Sequence, residues 1–189
     1  ANRKLVGLYQ LEVNKDQVLD TILTIYDAMN ADARKLGDLK EQGVILQSRL
    51  AAISSKGLYD EVIRQAPATL DFLAKNELWK NYYLVCSQFI NAYSRQGEYE
   101  KALVKADSIY NYAKAQNNRA GMGVILHDIS MIYTFQRRYP EAEKCLRESI
   151  DMLQDQTSYL GMLATVSYHL VTNLIAQERY DDALKAACE

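Results

Sequence analysis

The sequence predicts an all-α protein, a right-handed solenoid of antiparallel helix pairs. Three observations carry that prediction. Four segments repeat in register: Gly57-Leu58-Tyr59-Asp60-Glu61-Val62, Gly97-Glu98-Tyr99-Glu100-Lys101-Ala102, Arg137-Arg138-Tyr139-Pro140-Glu141-Ala142 and Glu178-Arg179-Tyr180-Asp181-Asp182-Ala183. Their tyrosines fall at 59, 99, 139 and 180, at intervals of 40, 40 and 41 residues, and a fixed period of this size marks a repeat architecture. Each segment is preceded by apolar residues spaced three and four apart, which is one face of an amphipathic helix. Finally, 189 residues contain only 2 prolines and 8 glycines while 49% are hydrophobic. An all-β chain of that length needs more turn formers.

The elements follow in order. Residues 3–13 and 14–29 read as a degenerate first pair, with Leu19 in the tyrosine's place. Leu50 and Ile53 then anchor a helix near 38–55, and the segment at Tyr59 opens its partner near 58–74. Phe89, Ile90 and Tyr93 mark a helix at 79–96, with its partner at 99–116 carrying Ala102, Leu103, Ala106, Ile109, Tyr110 and Ala113. Ile129 and Tyr133 mark 119–137 with a partner at 139–154, and Leu170, Val171 and Leu174 mark 159–177 with a partner from 180 onward. Within each pair we call the first helix A and the second B. Gly57 and Gly97 fall where A helices end and a left-handed residue is favoured. Pro140 falls in the first turn of a B helix, where its missing N–H costs nothing. Asp60, Glu61, Glu98, Glu100, Glu141, Asp181 and Asp182 crowd the B-helix starts and complement the helix dipole. Tyr99, Tyr139 and Tyr180 are expected to be largely buried between the two helices of their own pair. Pro67 lies inside a predicted B helix and predicts a kink or break near Ala66.

The pattern apolar-x-x-apolar-small-x-x-Tyr followed by Gly-x-Tyr-x-x-Ala resembles the tetratricopeptide repeat. Its best copy runs from Cys86 through Phe89, Ile90, Tyr93, Gly97, Tyr99 and Ala102 to Ala106, and Ala142 and Ala183 continue the small-residue position. The resemblance covers residues 38 to 189. It departs from the family in repeat length, since the ordinary unit is about 34 residues. The implied organisation is a single solenoid over 1–189: a degenerate repeat at 1–37, repeats at 38–77, 78–117 and 118–157, and a shortened one at 158–189. The chain ends a few residues into the last B helix, which predicts a piece of a longer protein with an output domain elsewhere.

Composition excludes several functions. Lys+Arg 22 against Asp+Glu 24 gives a net charge of -2, without the basic excess of a nucleic-acid binder. No apolar run is expected to approach the length of a membrane span. Cys86, Cys145 and Cys188 are odd in number and widely spaced, which matches neither a disulfide framework nor a zinc pattern. No phosphate loop, nucleophile elbow or HExxH occurs. The chain is therefore expected to be non-catalytic and to use no cofactor and no metal. His127 and Asp128 are adjacent, so on a helix they point about 100 degrees apart and are not expected to act as a dyad.

Function is then expected on the concave surface lined by A helices. The repeat register places Gln47, Gln88, Asn91, Arg95, His127, Asp128, Met131, Tyr168 and His169 there as exposed residues. Amide side chains can both donate to and accept from an extended peptide backbone, and Met131 and Tyr168 could hold an apolar anchor. Of the family's carboxylate clamp, only Asn91 and Arg95 have counterparts, so Gln47, Gln88 and Asn91 fit peptide-backbone capture better. The expected partner is a protein or extended peptide, with neither nucleic acid nor membrane bound by this chain. Long-helix variants resemble the sensor regions of bacterial two-component or transcriptional regulators; the compartment stays open, with a periplasmic sensor region favoured over a cytoplasmic one. The alternative is a structural scaffold or adaptor that assembles a complex or a homodimer.

Overall fold

The computed structural model describes residues 15–188, and side chains from Val18 onward. The expected helix at 3–13 lies outside the described residues. Among them the secondary structure is helical, with no strand: α1 (Lys15–Lys35), α2 (Leu39–Ser55), α3 (Tyr59–Lys75), α4 (Trp79–Arg95), α5 (Tyr99–Ala115), α6 (Arg119–Phe135), α7 (Tyr139–Leu153), a 3-10 turn (Thr157–Tyr159), α8 (Leu160–Ala176) and α9 (Tyr180–Cys188). The bounds from 38 onward fall within two residues of those the sequence predicts. The helix predicted at 14–29 extends to Lys35. The fold is an all-α, tetratricopeptide-like solenoid of helix pairs.

The turns explain the regularity. Left-handed residues recur every twenty positions at 37, 57, 77, 97, 117 and 137, and again at 178. At Gly57, the glycine N–H bonds Ser54 O at 3.0 Å and Leu58 N–H bonds Ile53 O at 3.4 Å. The same pair of bonds recurs at the other six sites, which is the Schellman closure of a helix end. α2 to α6 are each 17 residues long, so A and B helices share one length and one turn. Asp38 and Asn118 cap α2 and α6 by accepting from the backbone N–H of Glu41 (2.9 Å) and Gly121 (2.8 Å). The extra residue of the last interval lies between α7 and α8, where the 3-10 turn replaces the left-handed closure.

The chain divides into two compact units, 1–92 and 93–189. In the first, Leu19, Ile22, Tyr26 and Ala33 of α1 pack with Ile45 and Ala52 of α2. Ile53, Val62 and Ala92 form a second cluster, with Tyr59 against it. Gly43 lets α2 approach closely: a Cβ there would stand 2.6 Å from Leu78 Cδ1. In the second unit α6 touches α5, α7 and α8, and eleven of its residues are buried. Gly123 plays the same part, since a Cβ would meet Leu153 Cγ at 2.7 Å, and Ser149 Oγ donates to Gly123 O at 2.7 Å.

Three expectations are corrected. α3 runs unbroken through Pro67; the proline is on the exposed face, where water can satisfy the released Ile63 carbonyl. Among the repeat tyrosines, Tyr180 departs from the expected burial. Tyr99 and Tyr139 are half-buried, and Tyr99 stacks on Phe135 of the following A helix, with centroids 6.4 Å apart and planes at 27°. No A helix follows α9 among the described residues, and Tyr180 is 63% exposed. Lastly, Thr157–Ala176 carries no charged residue and is long and apolar enough, by length and composition alone, to cross a membrane. Within the unit, its Val166, Leu170, Asn173 and Leu174 are buried.

Candidate functional site

In the first unit the structure brings Gln47 and Gln88 together. Gln88 Nε2 donates to the Gln47 carbonyl at 3.4 Å, while Gln88 Oε1 is buried without a hydrogen-bond partner. One of the amides assigned to ligand capture is thus already engaged between A helices, with its acceptor oxygen left over. Asn91 is half-buried on the next turn of α4.

In the second unit Arg95 is exposed at the end of α4, with its guanidinium over the Phe135 ring at 5.3 Å. Arg138 lies over Tyr133 at 4.4 Å. Cations over aromatic faces at such distances attract the ring quadrupole, so these residues build a rim of paired rings and guanidinium groups along the A-to-B turns.

His127 and Asp128 depart from the expected exposed face. They are 8% and 6% exposed. The cause is the packing of α6 against three helices, which covers the side that a repeat register alone would leave open. His127 Nε2 meets His169 Nδ1 of α8 at 2.7 Å, and His127 Nδ1 stands 3.9 Å from Asp128 Oδ1. His127 Nδ1 is buried without a hydrogen-bond partner. Burial, and then the neighbouring His169, push the His127 pKa down to about 4; burial also lowers that of His169. Both rings are therefore neutral at physiological pH.

Met131 is half-buried one turn beyond His127. Tyr168 is 65% exposed, its ring tilted at 53° to that of His169 with centroids 5.6 Å apart. Thr172 Oγ1 donates to His169 O at 3.0 Å. So His127, His169 and Tyr168 form one group, while Gln47 and Gln88 form another. The contact between the histidines was missed at the sequence level. A signal existed: the chain's two histidines lie on successive A helices, one residue off the repeat interval. Among the described residues no three His, Cys, Asp or Glu side chains are placed to hold a metal. Cys86 is buried, Cys145 half-buried and Cys188 exposed, all as free thiols, and burial pushes the Cys145 pKa up to about 11.

A tetratricopeptide repeat family model matches residues 124–154, which cover most of α6 and all of α7. No curated protein sequence matches the chain. Among solved structures it is similar to BtubC (BKLC) from P. vanneervenii, with a TM-score of 0.68 and 15% identity over 89% of this chain and 72% of that one. It is also similar to a Rap protein complexed with competence and sporulation factor, with a TM-score of 0.71 and 15% identity over 91% of this chain. The apo form of RapI gives 0.63 and 15% over 90%. The chain spans about half the length of the two Rap chains, 48% and 47%. At such identities the likeness is one of fold, and the family model matches a single repeat, the stretch from Val124 to Gln154.

Proposed function

We propose that the chain is a protein- or peptide-binding module that captures an uncharged, apolar-anchored segment on its A-helix surface, as the sensor or interaction region of a bacterial regulatory protein. It performs no chemistry on what it binds. One observation carries this reading: Tyr168 stands 65% exposed at the middle of α8, a helix without a charged residue. Monomeric proteins seldom leave large apolar side chains grouped on a surface unless something binds there, and Leu160 and Ile175 on the same helix are 60% and 47% exposed. A Rap protein of similar fold was solved in complex with competence and sporulation factor, which supports capture of a partner by a protein of this fold. A periplasmic location belongs to the same proposal.

The test is a selection of displayed peptides against wild type, followed by calorimetry on the hits with Tyr168→Ala and with a Met131→Ala, Tyr168→Ala double variant. An exposed aromatic that anchors a ligand behaves as a hot spot, so affinity should fall at least about tenfold. Folding should be little affected because Tyr168 is mostly outside the core. Hits that bind the double variant as tightly as wild type would place the site elsewhere.

A further inference from the structure

His127 and His169 are the only histidines in the sequence, and the fold brings them into direct contact. Their facing nitrogens are 2.7 Å apart, the ring centroids 5.0 Å apart and the planes within 11°. That centroid separation equals the N···N distance plus two ring radii. The rings therefore meet edge to edge, close to one plane, with Nε2 of His127 and Nδ1 of His169 aimed at each other. Such a contact holds only when one nitrogen carries a proton and the other offers its lone pair. With both protonated, two N–H groups and two cations would collide head to head.

We propose that the His127–His169 contact is an acid-released latch that holds α8 against α6.

The surroundings favour the neutral, latched state. α5 turns Ala102, Ala106, Ile109 and Ala113 into the core. α7 turns in Ala142, Leu146, Ser149 and Leu153, with Cys145, held as the thiol by burial, half-buried beside them. α8 contributes Tyr168 next to His169. On α6 itself the carboxylate of Asp128 is 3.9 Å from His127 Nδ1. Asp128 can favour a first proton on the outer nitrogen of His127. It does nothing for a second, which must enter on the facing nitrogens.

The direction follows from proton counting. With the contact open, each histidine takes a proton near its ordinary value of about 6.5. With the contact closed, the pair takes at most one. The open form therefore binds more protons as pH falls, and acid favours it. The latch is fully present above about pH 6.5, and it weakens as the pH falls toward the value of about 4 to which His127 is pushed. Release would loosen α8, the helix that presents Tyr168. Only that last consequence rests on the binding function proposed above.

The experiment is a histidine titration by long-range 1H–15N correlation on the labelled protein, from pH 8 to 4. At pH 7.5 one facing nitrogen should be protonated and the other bare, and His127 should still be neutral at pH 5. Hydrogen exchange of α8, corrected for the intrinsic rate, should lose at least about tenfold protection between pH 7 and 5, the equivalent of one pKa unit. A His127→Gln, His169→Gln variant supplies a donor and an acceptor that do not titrate, so its protection should not change over that range. Both histidines titrating independently near 6.5, or wild-type pH dependence in the double variant, would overturn the proposal. If the variant does not fold, the wild-type titration decides alone. None of these readings depends on a ligand being found.

Discussion

Left-handed residues close seven helix ends in the described chain, and only Gly37, Gly57 and Gly97 among them are glycine. Glu77, Asn117, Arg137 and Glu178 hold the same conformation at φ of 56, 51, 59 and 60. A side chain with a Cβ pays roughly 1–2 kcal/mol for it. Arg137→Gly should therefore raise stability, by about 0.5–1 kcal/mol once the looser unfolded chain is counted. A thermal melt that is unchanged or lower would mean the turn absorbs the strain. Gly97→Ala should do the reverse, by about 1 kcal/mol. Two of these positions were legible in the sequence because Gly57 and Gly97 declare themselves. Arg137 and Glu178 sat in the same repeat column, yet a non-glycine hides its backbone geometry. Glu77 and Asn117 lie in B-to-A turns, which a 40-residue register never sets beside the A-to-B turns.

At the scale of elements, helix existence was legible and helix surroundings were not. Apolar spacing fixes which stripe of a helix is buried in its own pair, but not what the next pair covers. Hence α6 was assigned an exposed face that holds the buried His127 and Asp128, and Tyr99 was assigned to its own pair rather than to Phe135. Pro67 shows the reverse error, since a break expected from a rule for isolated helices fell in a helix that stays continuous from Tyr59 to Lys75. Pro67→Ala restores an N–H to the Ile63 carbonyl and should stabilise the protein by about 2 kcal/mol. An unchanged unfolding midpoint would show that water already serves that carbonyl fully. A second test concerns Glu143 of α7, which accepts from Gln177 and pairs with Arg147 and Arg179. Burial raises its pKa, but those three partners outweigh burial and hold it below 4.5. A carboxylate held low in the folded state contributes stability above its unfolded value and loses it as pH falls. Glu143→Gln should therefore melt below wild type at pH 7 and together with it at pH 3. Equal melting at both would mean the link between α7 and α8 carries no net energy.

For the molecule as a whole, charge distribution decides how a partner would be held. The net charge is only -2, and the charged side chains pair locally: Arg64 with Glu61, Lys75 with Asp71, Arg138 with Glu141 and Arg147 with Glu143. These pairs lie on B helices or at their starts. The A helices of the second unit carry Arg95 and Arg119 at their ends, the latter paired with Asp151, a buried Asp128 and no charge along α8. Long-range attraction is therefore weak there, and what remains is apolar contact and amide hydrogen bonding. Salt screens the first kind of force and leaves the others nearly alone, since the Debye length falls from about 10 Å at 0.1 M to about 3 Å at 1 M. A peptide selected on wild type should then bind with a dissociation constant that changes less than about twofold between 0.05 and 0.5 M NaCl at pH 7.5. A steep loss with salt, abolished by Arg95→Gln, would move the site from the middle of α8 to the rim of arginines and rings at the turns. A steep loss that survives Arg95→Gln would move it to the charged B helices, and the A-helix assignment would fall.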